Sequence, residues 1–228
     1  MVRVKICGVT NGRDARAACE LGAYAVGLNF YEKSPRAIAP ADAWKLRRSL
    51  PAAVEAVGVF VDWRPTAVMA LANSLRLSAV QLHGDESPRH AAFCAKRIPV
   101  IKAFRVAAGF SLSELARFRG VSGFLLDAAR AGQYGGTGHT IDWALARRAA
   151  VARPIILAGG LTPENVAEAI RSVRPYAVDV ASGVESRPGK KDRGKMREFF
   201  AEVERANREL SEPARTKERN ADGPSAHS

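Results

Sequence analysis

Several residues that can do chemistry stand at the ends of apolar segments in this sequence. Cys7 closes the segment KIC and Asp127 closes LLD, and a thiol and a carboxyl group can each move a proton on a bound molecule. Glycines close two later segments, LAGG and VASG, where freed backbone N–H groups can hold a phosphate. These residue types predict acid–base chemistry on a phosphorylated compound.

Cys7 and Asp127 each have a plainer interpretation as well. A free cysteine is most often a small buried residue, whereas a nearby cation such as Lys5 would lower the pKa of the thiol and make it a usable base. Asp127 is a helix cap, an ion-pair partner of Lys5, or a functional acid. A carboxyl group at the end of an apolar strand is costly to bury unless it is paired or used, which favours function for Asp127.

Apolar segments alternate with helix-like segments along most of the chain, and this pattern indicates parallel strands buried on both faces. An open doubly wound sheet would need a glycine-rich dinucleotide turn after the first strand, and CGVTNG is not one. We therefore predict an α/β fold, a single (β/α)8 TIM barrel over residues 1–210 with a disordered tail over 211–228. The predicted strands are 2–9, 23–30, 53–62, 77–84, 99–106, 123–129, 153–161 and 175–183, and the predicted helix caps are Asn11, Ser87, Ser111 and Thr162.

The strand endings of such a barrel form its active site. Because side chains alternate along a strand, Lys5 and Cys7 face inward if Val4 and Ile6 face the helices. The same alternation places further side chains inside, namely Gln81, His83, Leu125, Asp127, Ala177 and Asp179. A thiol and a carboxyl group are thus expected at one mouth.

Three other features belong to loops at this mouth. Gly159-Gly160 and Ser182-Gly183 follow the seventh and eighth strands, where this fold binds phosphate, although tight turns alone also need glycine. Arg36 follows the second strand and suits a substrate carboxylate, but with 35 basic residues a surface role is the alternative. Residues 134–140, YGGTGHT, form either a lid over a ligand or a flexible turn.

Composition narrows the class of protein. No apolar run is long enough to span a membrane, and the N-terminus lacks the layout of a signal peptide, so a cytoplasmic protein without a membrane partner is expected. The three cysteines are odd in number and widely spaced, which argues against disulfides and structural zinc. The net charge of +12 comes without any nucleic-acid-binding motif. We expect no nucleic-acid partner, and a cationic surface that attracts an anionic substrate.

Taken together, the strand endings resemble the phosphoribosylanthranilate isomerase family of tryptophan biosynthesis. The resemblance covers roughly residues 2–205 and depends on seven motifs in order. They are KICGVT, NFYEKSPR, VQLHGDE, LLDA, GGTGHTIDW, LAGGLTPENV and DVASGVE followed by PGKKD. The family is a cofactor-free (β/α)8 barrel that converts N-(5-phosphoribosyl)anthranilate into 1-(2-carboxyphenylamino)-1-deoxyribulose 5-phosphate by an Amadori rearrangement.

This resemblance implies a role for each candidate residue. Cys7 would be the general base, Asp127 the general acid, and Arg36 the partner of the anthranilate carboxylate. His83 and Asp179 would line the sugar region. The phosphate would be held by Gly159, Gly160, Ser182 and Gly183, with Gly136 closing the lid beside it. The only partner implied is a small phosphosugar–anthranilate substrate, and we expect a monomer, with a homodimer as the alternative.

Two departures, two rival functions and one possible additional activity accompany the resemblance. His139 stands where a lysine or another long polar residue is expected, and the tail is additional. An indole-glycerol-phosphate synthase relative would use lysine and glutamate at strand ends, and no strand-end glutamate is evident. A basic barrel that binds nucleic acid would not need both Cys7 and Asp127. Acceptance of a histidine-pathway ribonucleotide as a second substrate stays open, although that activity usually shows an aspartate in the place of Cys7.

Overall fold

A computed structural model of the protein describes residues 1–107, 109–128 and 143–212. Eight parallel strands close into a barrel in the order β1 to β8, with β8 paired to β1. Each strand lies within a segment predicted from the sequence, so the (β/α)8 barrel is confirmed. The strands are β1 (Arg3–Cys7), β2 (Ala25–Asn29), β3 (Glu55–Phe60), β4 (Ala79–Leu82), β5 (Val100–Val106), β6 (Gly123–Ala128), β7 (Ile155–Ala158) and β8 (Ala177–Val180).

Helices follow the strands and pack around the barrel. They are α1 (Gly12–Glu20), α2 (Pro40–Ser49), α3 (Pro65–Ser74), α4 (Pro88–Ala95), α5 (Ser113–Ala116), α6 (Trp143–Ala152), α7 (Val166–Val173) and α8 (Arg193–Ser211). The predicted caps Asn11 and Ser87 accept hydrogen bonds from backbone N–H groups in the first turns of α1 and α4. No helix in the described ranges combines the length and apolar character needed to cross a membrane.

Two predicted caps are wrong. Helix α5 is a single turn whose cap is Leu112, while Ser111 lies one residue outside it. Helix α7 begins four residues after Thr162, and Asn165 precedes its first turn. The Asn165 side chain accepts from the Thr162 backbone N–H and donates to the Gly160 carbonyl, so it braces the glycine turn instead of capping a helix that starts at Thr162.

The predicted alternation of side chains is confirmed along the strands. Val4 and Ile6 belong to the apolar layer between the barrel and its helices, while Leu125 and Ala177 belong to a smaller cluster inside the barrel. The inner cluster consists of Ala25, Val57, Ala79, Ile101, Ala103, Leu125, Ile156, Ala158 and Ala177. Small residues dominate this cluster, which leaves room for a fully buried lysine, Lys5, among them.

A short hairpin extends the barrel after β8. A 3-10 turn over Ser182–Val184 is followed by the paired strands β9 (Glu185–Arg187) and β10 (Lys190–Lys191). The hairpin rests on the first two strand–helix loops, because Thr10 Oγ1 donates to the Gly189 carbonyl and a Cβ on Gly189 would lie 2.7 Å from the Pro35 carbonyl oxygen. It therefore brings residues 185–191 to the mouth of the barrel, where the sequence predicts the active site.

Candidate active site

Cys7 ends β1 at the mouth of the barrel and is only partly exposed. Its register partner on the next strand is Gly27. A Cβ added to Gly27 would lie 2.8 Å from Cys7 Sγ and 3.1 Å from Lys5 Nζ, so the thiol and the ammonium group both pack against this glycine. The absence of a side chain at Gly27 thus makes space for both groups.

The charge state of Cys7 differs from the expectation of a lowered pKa. Burial raises the pKa of the Cys7 thiol above its ordinary value, and the carboxylate of Asp179 raises it further. Lys5 and Lys191 act in the opposite direction but do not outweigh burial. The expectation was wrong about the net direction because burial, with a further contribution from Asp179, outweighs the effect of the neighbouring cations.

Lys5 forms an ion pair with Asp179 inside the barrel. The two residues are register partners on β1 and β8, and Lys5 Nζ lies 2.8 Å from Asp179 Oδ1. Although burial works to lower the pKa of Lys5, Asp179 and the thiol of Cys7 raise it, so Lys5 is a cation. Asp179 therefore lies directly below the mouth, bound to Lys5.

Asp127 lies near the end of β6 and faces His83, which follows β4. Asp127 Oδ2 is 3.4 Å from His83 Nε2, and the Asp127 side chain retains 32 % of its exposure. Gln81 Nε2 lies 2.8 Å from His83 Nδ1, so Gln81 holds the ring through its other nitrogen. Among the described residues, Asp127 contacts His83 and not Lys5, whose partner is Asp179, and its carboxyl group is partly exposed.

Arg36 lies at the mouth, bound to a carboxylate of the protein. Arg36 Nε and Nη2 donate to Glu185 Oε1 and Oε2 over 2.9 and 2.7 Å. Glu185 Oε1 also accepts from Lys191 Nζ at 2.9 Å. The stem of Arg36 passes over Gly8, whose φ is +69°, and a Cβ there would lie 2.7 Å from Arg36 Cδ. Arg36 is therefore next to the residue that follows Cys7.

The two glycine turns after β7 and β8 meet each other. Gly159 and Gly160 have φ values of 84° and 67°, which a side chain would oppose. A Cβ on Gly183 would lie 1.9 Å from the Leu161 carbonyl oxygen, so only glycine allows the turns to approach this closely. Within the described ranges, no acceptor is bound to the backbone N–H groups of Gly159, Gly160, Ser182 or Gly183. The two adjoining turns thus carry backbone donors of the kind that bind anions.

Several site residues were not found by sequence reasoning. Glu185 binds the candidate residue Arg36 and Lys191 binds Glu185, yet both stand in a charged loop that looks like a solvated surface. Their only signals in the sequence were the motif DVASGVE, which ends at Glu185, and the motif PGKKD, which contains Lys191. Gly136 and the proposed lid over 134–140 lie outside the described residues. In the part of the chain that the structure describes, no group of three or more His, Cys, Asp or Glu residues has the geometry to hold a metal.

The sequence was then compared with known protein families and relatives. Residues 4–202 match the family model described as N-(5'phosphoribosyl)anthranilate (PRA) isomerase. N-(5'-phosphoribosyl)anthranilate isomerase from Trichlorobacter lovleyi is 51% identical over 207 residues, which cover 90% of this chain and all of the relative. The enzyme of the same name from Geobacter sulfurreducens is 50% identical over 201 residues, covering 88% and 97% of the two chains.

Solved structures give the same result. Phosphoribosyl anthranilate isomerase from Thermotoga maritima superposes with a TM-score of 0.84 at 45% identity, covering 90% of this chain and 99% of that one. A phosphoribosyl anthranilate isomerase in complex with reduced 1-(o-carboxyphenylamino)-1-deoxyribulose 5-phosphate gives 0.81 at 43% identity, with the same coverage. Because both the family model and relatives at about half identity extend over nearly the whole barrel, the chain belongs to the N-(5'-phosphoribosyl)anthranilate isomerase family.

Proposed function

We propose that Cys7 is the general base and Asp127 the general acid in the isomerisation that this family catalyses. The reaction is a step of tryptophan biosynthesis and turns N-(5'-phosphoribosyl)anthranilate into its 1-deoxyribulose form. The observation that carries the assignment is the position of these two side chains, at the end of β1 and near the end of β6. They share one mouth with an arginine and with four backbone N–H groups that have no acceptor among the described residues. Acid, base, phosphate donors and a cation are the groups that this substrate requires.

The chemistry needs one proton donor and one proton acceptor. Asp127, in its protonated form, gives its proton to the ring oxygen, the C1–O bond breaks, and an iminium forms between C1 and the anthranilate nitrogen. Cys7, as a thiolate, removes the proton from C2, and the electron pair of that C–H bond forms the C1–C2 double bond of an enolamine. The enolamine then tautomerises to the ketone. Because the iminium accepts the electrons, no cofactor is needed.

The raised pKa of Cys7 fits this order of events. Before ring opening the half-buried thiol is favoured over the thiolate. The iminium brings a positive charge next to Cys7, which favours the thiolate when the base is required. Lys5 supplies a second, permanent cation near the sulfur, and His83 lies beside the Asp127 carboxylate that proton transfer leaves behind.

The two ends of the substrate are held by different loops. We propose that the phosphate binds Gly159, Gly160, Ser182 and Gly183, whose N–H groups are free of acceptors in the described part of the chain, with Gly136 closing beside it. At the other end Arg36 binds the anthranilate carboxylate. Asp179, held by Lys5, lies below the sugar and accepts from its hydroxyl groups. Fixing both charged ends orients the ribose between the acid and the base.

The surroundings of the enzyme follow from its substrate. We propose a cytoplasmic location, because substrate and product are phosphorylated metabolites of amino-acid biosynthesis, and no nucleic-acid or membrane partner. The expected monomer stays a prediction, and so do the barrel and tail boundaries at 210 and 211. The Thermotoga maritima relative is dimeric, and monomers of it have been generated. Sedimentation equilibrium of the full chain measures which state this protein adopts.

Anthranilate fluorescence tests the assignment directly. Purified wild type, Cys7→Ser and Asp127→Asn are each mixed with freshly made phosphoribosylanthranilate in the presence of a chelator. We expect wild type to consume the substrate and each variant to lose about 10²-fold to 10⁴-fold in kcat, as removal of a positioned acid or base does. Variants that turn over at the wild-type rate, while folded by circular dichroism, would refute the roles of Cys7 and Asp127.

A further inference from the structure

The guanidinium group of Arg36 has two edges that match a carboxylate. The side edge consists of Nε and Nη2, and the end edge consists of Nη1 and the second hydrogen of Nη2. Glu185 occupies the side edge with both of its oxygens, over 2.9 and 2.7 Å. Within the described ranges, nothing accepts a hydrogen bond from Nη1. One carboxylate-binding edge of Arg36 is therefore taken and the other is open.

Glu185 is itself held firmly from the opposite side. Its side chain is only 4 % exposed, and Oε1 also accepts from Lys191 Nζ at 2.9 Å and from the Gly189 backbone N–H at 3.4 Å. Lys191 in turn donates to the carbonyl of Ala181, next to the proposed phosphate turn. The carboxylate is therefore fixed by its own hairpin before it meets Arg36.

The cluster of Arg36, Glu185 and Lys191 contains more positive than negative charge. Burial works to raise the pKa of Glu185, but the hydrogen bonds and charges of Arg36 and Lys191 lower it below the ordinary value, so Glu185 is an anion. The two cations Arg36 and Lys191 then bind one buried anion, and burial lowers the pKa of Lys191 from its ordinary value. The cluster thus carries one net positive charge, which a single carboxylate on a ligand neutralises.

From these contacts we propose that Glu185 is a positioning residue that fixes the side edge of Arg36, so that the end edge binds the carboxylate of the substrate. The inference rests on the proposed role of Arg36 in carboxylate binding. It explains how Arg36 keeps its protein partner and still holds a ligand: one guanidinium joins two carboxylates edge by edge. Glu185 thereby contributes to specificity for a carboxylate-bearing aryl amine without touching the substrate.

The choice of glutamate is explained by the hydrogen bonds. Glutamine has the same length, but its amide presents one acceptor and one donor to two N–H donors of Arg36. Glu185→Gln therefore keeps at most one of the two bonds and loses the charge that restrains the guanidinium. We expect the end edge of Arg36 to become mobile in this variant and to bind a carboxylate more weakly.

A double-mutant cycle on ligand binding tests the proposal. The ligands are reduced 1-(o-carboxyphenylamino)-1-deoxyribulose 5-phosphate and its phenylamino counterpart without the carboxylate, titrated calorimetrically into wild type, Glu185→Gln, Arg36→Met and the double variant. The readout is the ratio of the two Kd values. We expect Glu185→Gln to reduce the preference for the carboxylate about tenfold, Arg36→Met to abolish it, and the double variant to behave as Arg36→Met alone.

Each outcome supports or overturns one statement. A full carboxylate preference in Arg36→Met overturns the proposed role of Arg36, and with it this inference. Loss in Arg36→Met with an unchanged ratio in Glu185→Gln overturns the role of Glu185 alone. Equal weakening of both ligands by Glu185→Gln shows a merely structural role and also overturns it. Glu86→Gln is the matched control, since Glu86 is a buried carboxylate paired with Lys102 at 2.9 Å. We expect it to leave the ratio unchanged.

Discussion

Lys5 Nζ lies 2.8 Å from Asp179 Oδ1 inside the barrel, on the floor of the candidate active site. Because Lys5 is paired with Asp179, it is not the ion-pair partner of Asp127. The pair places a cation and an anion next to each other near the thiol of Cys7. The thiol therefore experiences a dipole rather than an isolated positive charge. Lys5 is placed to act as counter-ion to a thiolate, with Asp179 moderating its effect.

Lys5→Met is expected to move the pH profile of the enzyme to higher pH. If Cys7 is the base, kcat/KM falls as the pH drops below the pKa of Cys7, which burial already raises. Removing a neighbouring cation raises this pKa further, by about one unit or more, so the acidic limb shifts upward by the same amount. The measurements are kcat/KM against pH and the pH dependence of alkylation at Cys7, followed by mass spectrometry.

Lys102→Met is the matched control for this experiment. Lys102 is equally a buried strand lysine, paired with Glu86, but it donates to the carbonyls of Leu82 and Gly84 outside the barrel interior. Both variants break a buried ion pair, and each is expected to lose about 3 kcal/mol in the free energy of unfolding. Only Lys5→Met should shift the acidic limb of the kcat/KM profile to higher pH. A shift of equal size in both, or in neither, would contradict the role given to Lys5.

Gly27→Ala is expected to lower kcat while the fold persists. The new methyl group would lie 2.8 Å from Cys7 Sγ and 3.1 Å from Lys5 Nζ, so both groups must move away from it. A displacement of this size in a catalytic group costs about 10²-fold in rate. The control is Gly12→Ala, because a Cβ at Gly12 meets no atom within 4 Å. Stopped-flow fluorescence of the two variants measures the difference, and equal rates would count against the space-filling argument.

Much of the fold can be predicted from the sequence because its signals are local. Each parallel strand is an apolar run between turns, and alternation along β1 or β6 decides which side chains face inward. The predicted start of α7 at Thr162 is wrong. The Asn165 side chain binds the Gly160 carbonyl, five residues back along the chain, and capping rules do not describe this contact. Local rules thus succeed for the strands and fail where a side chain reaches backward.

In the candidate site, too, some residues can be recognised from the sequence, whereas their partners cannot. Cys7 and Asp127 are recognisable as strand endings, whereas the partner of Arg36 is Glu185, 149 positions away, and the partner of Lys5 is Asp179, 174 positions away. With 35 basic and 23 acidic residues, the sequence offers far too many possible pairs to select these two. The direction of the Cys7 pKa depends on burial and on the same pairing, so it follows only from the structure.

Glu185→Gln is expected to destabilise the protein at neutral pH and much less in acid. The pKa of Glu185 is lowered from its ordinary 4.5, so its contribution is fully present above that value and is lost as the pH falls through the lower pKa of the folded state. We expect a loss of about 3 kcal/mol at pH 7, as for a broken buried pair, and a smaller loss below pH 4.5. Urea unfolding at several pH values measures it.

Glu209→Gln is the control for that series. Glu209 binds Arg171 and Arg205 on the exposed face of α8, where ion pairs stabilise little. We expect its free energy of unfolding to stay close to that of wild type at every pH. A pH-independent loss in Glu185→Gln would show that the effect comes from packing and not from the charge of the carboxylate.

Gly183→Ala is expected to weaken phosphate binding more than it affects the chemical step. A Cβ at Gly183 would lie 1.9 Å from the Leu161 carbonyl oxygen and 3.1 Å from Thr162 Cα, so the turns after β7 and β8 must separate. If the N–H groups of these turns bind the phosphate, as proposed, their separation weakens that binding, and KM should rise about tenfold or more with a smaller change in kcat. The reduced product analogue and its dephosphorylated form provide the comparison. Selective loss of affinity for the phosphorylated ligand is the expected result, whereas equal loss for both would mean that Gly183 supports the fold and not a phosphate.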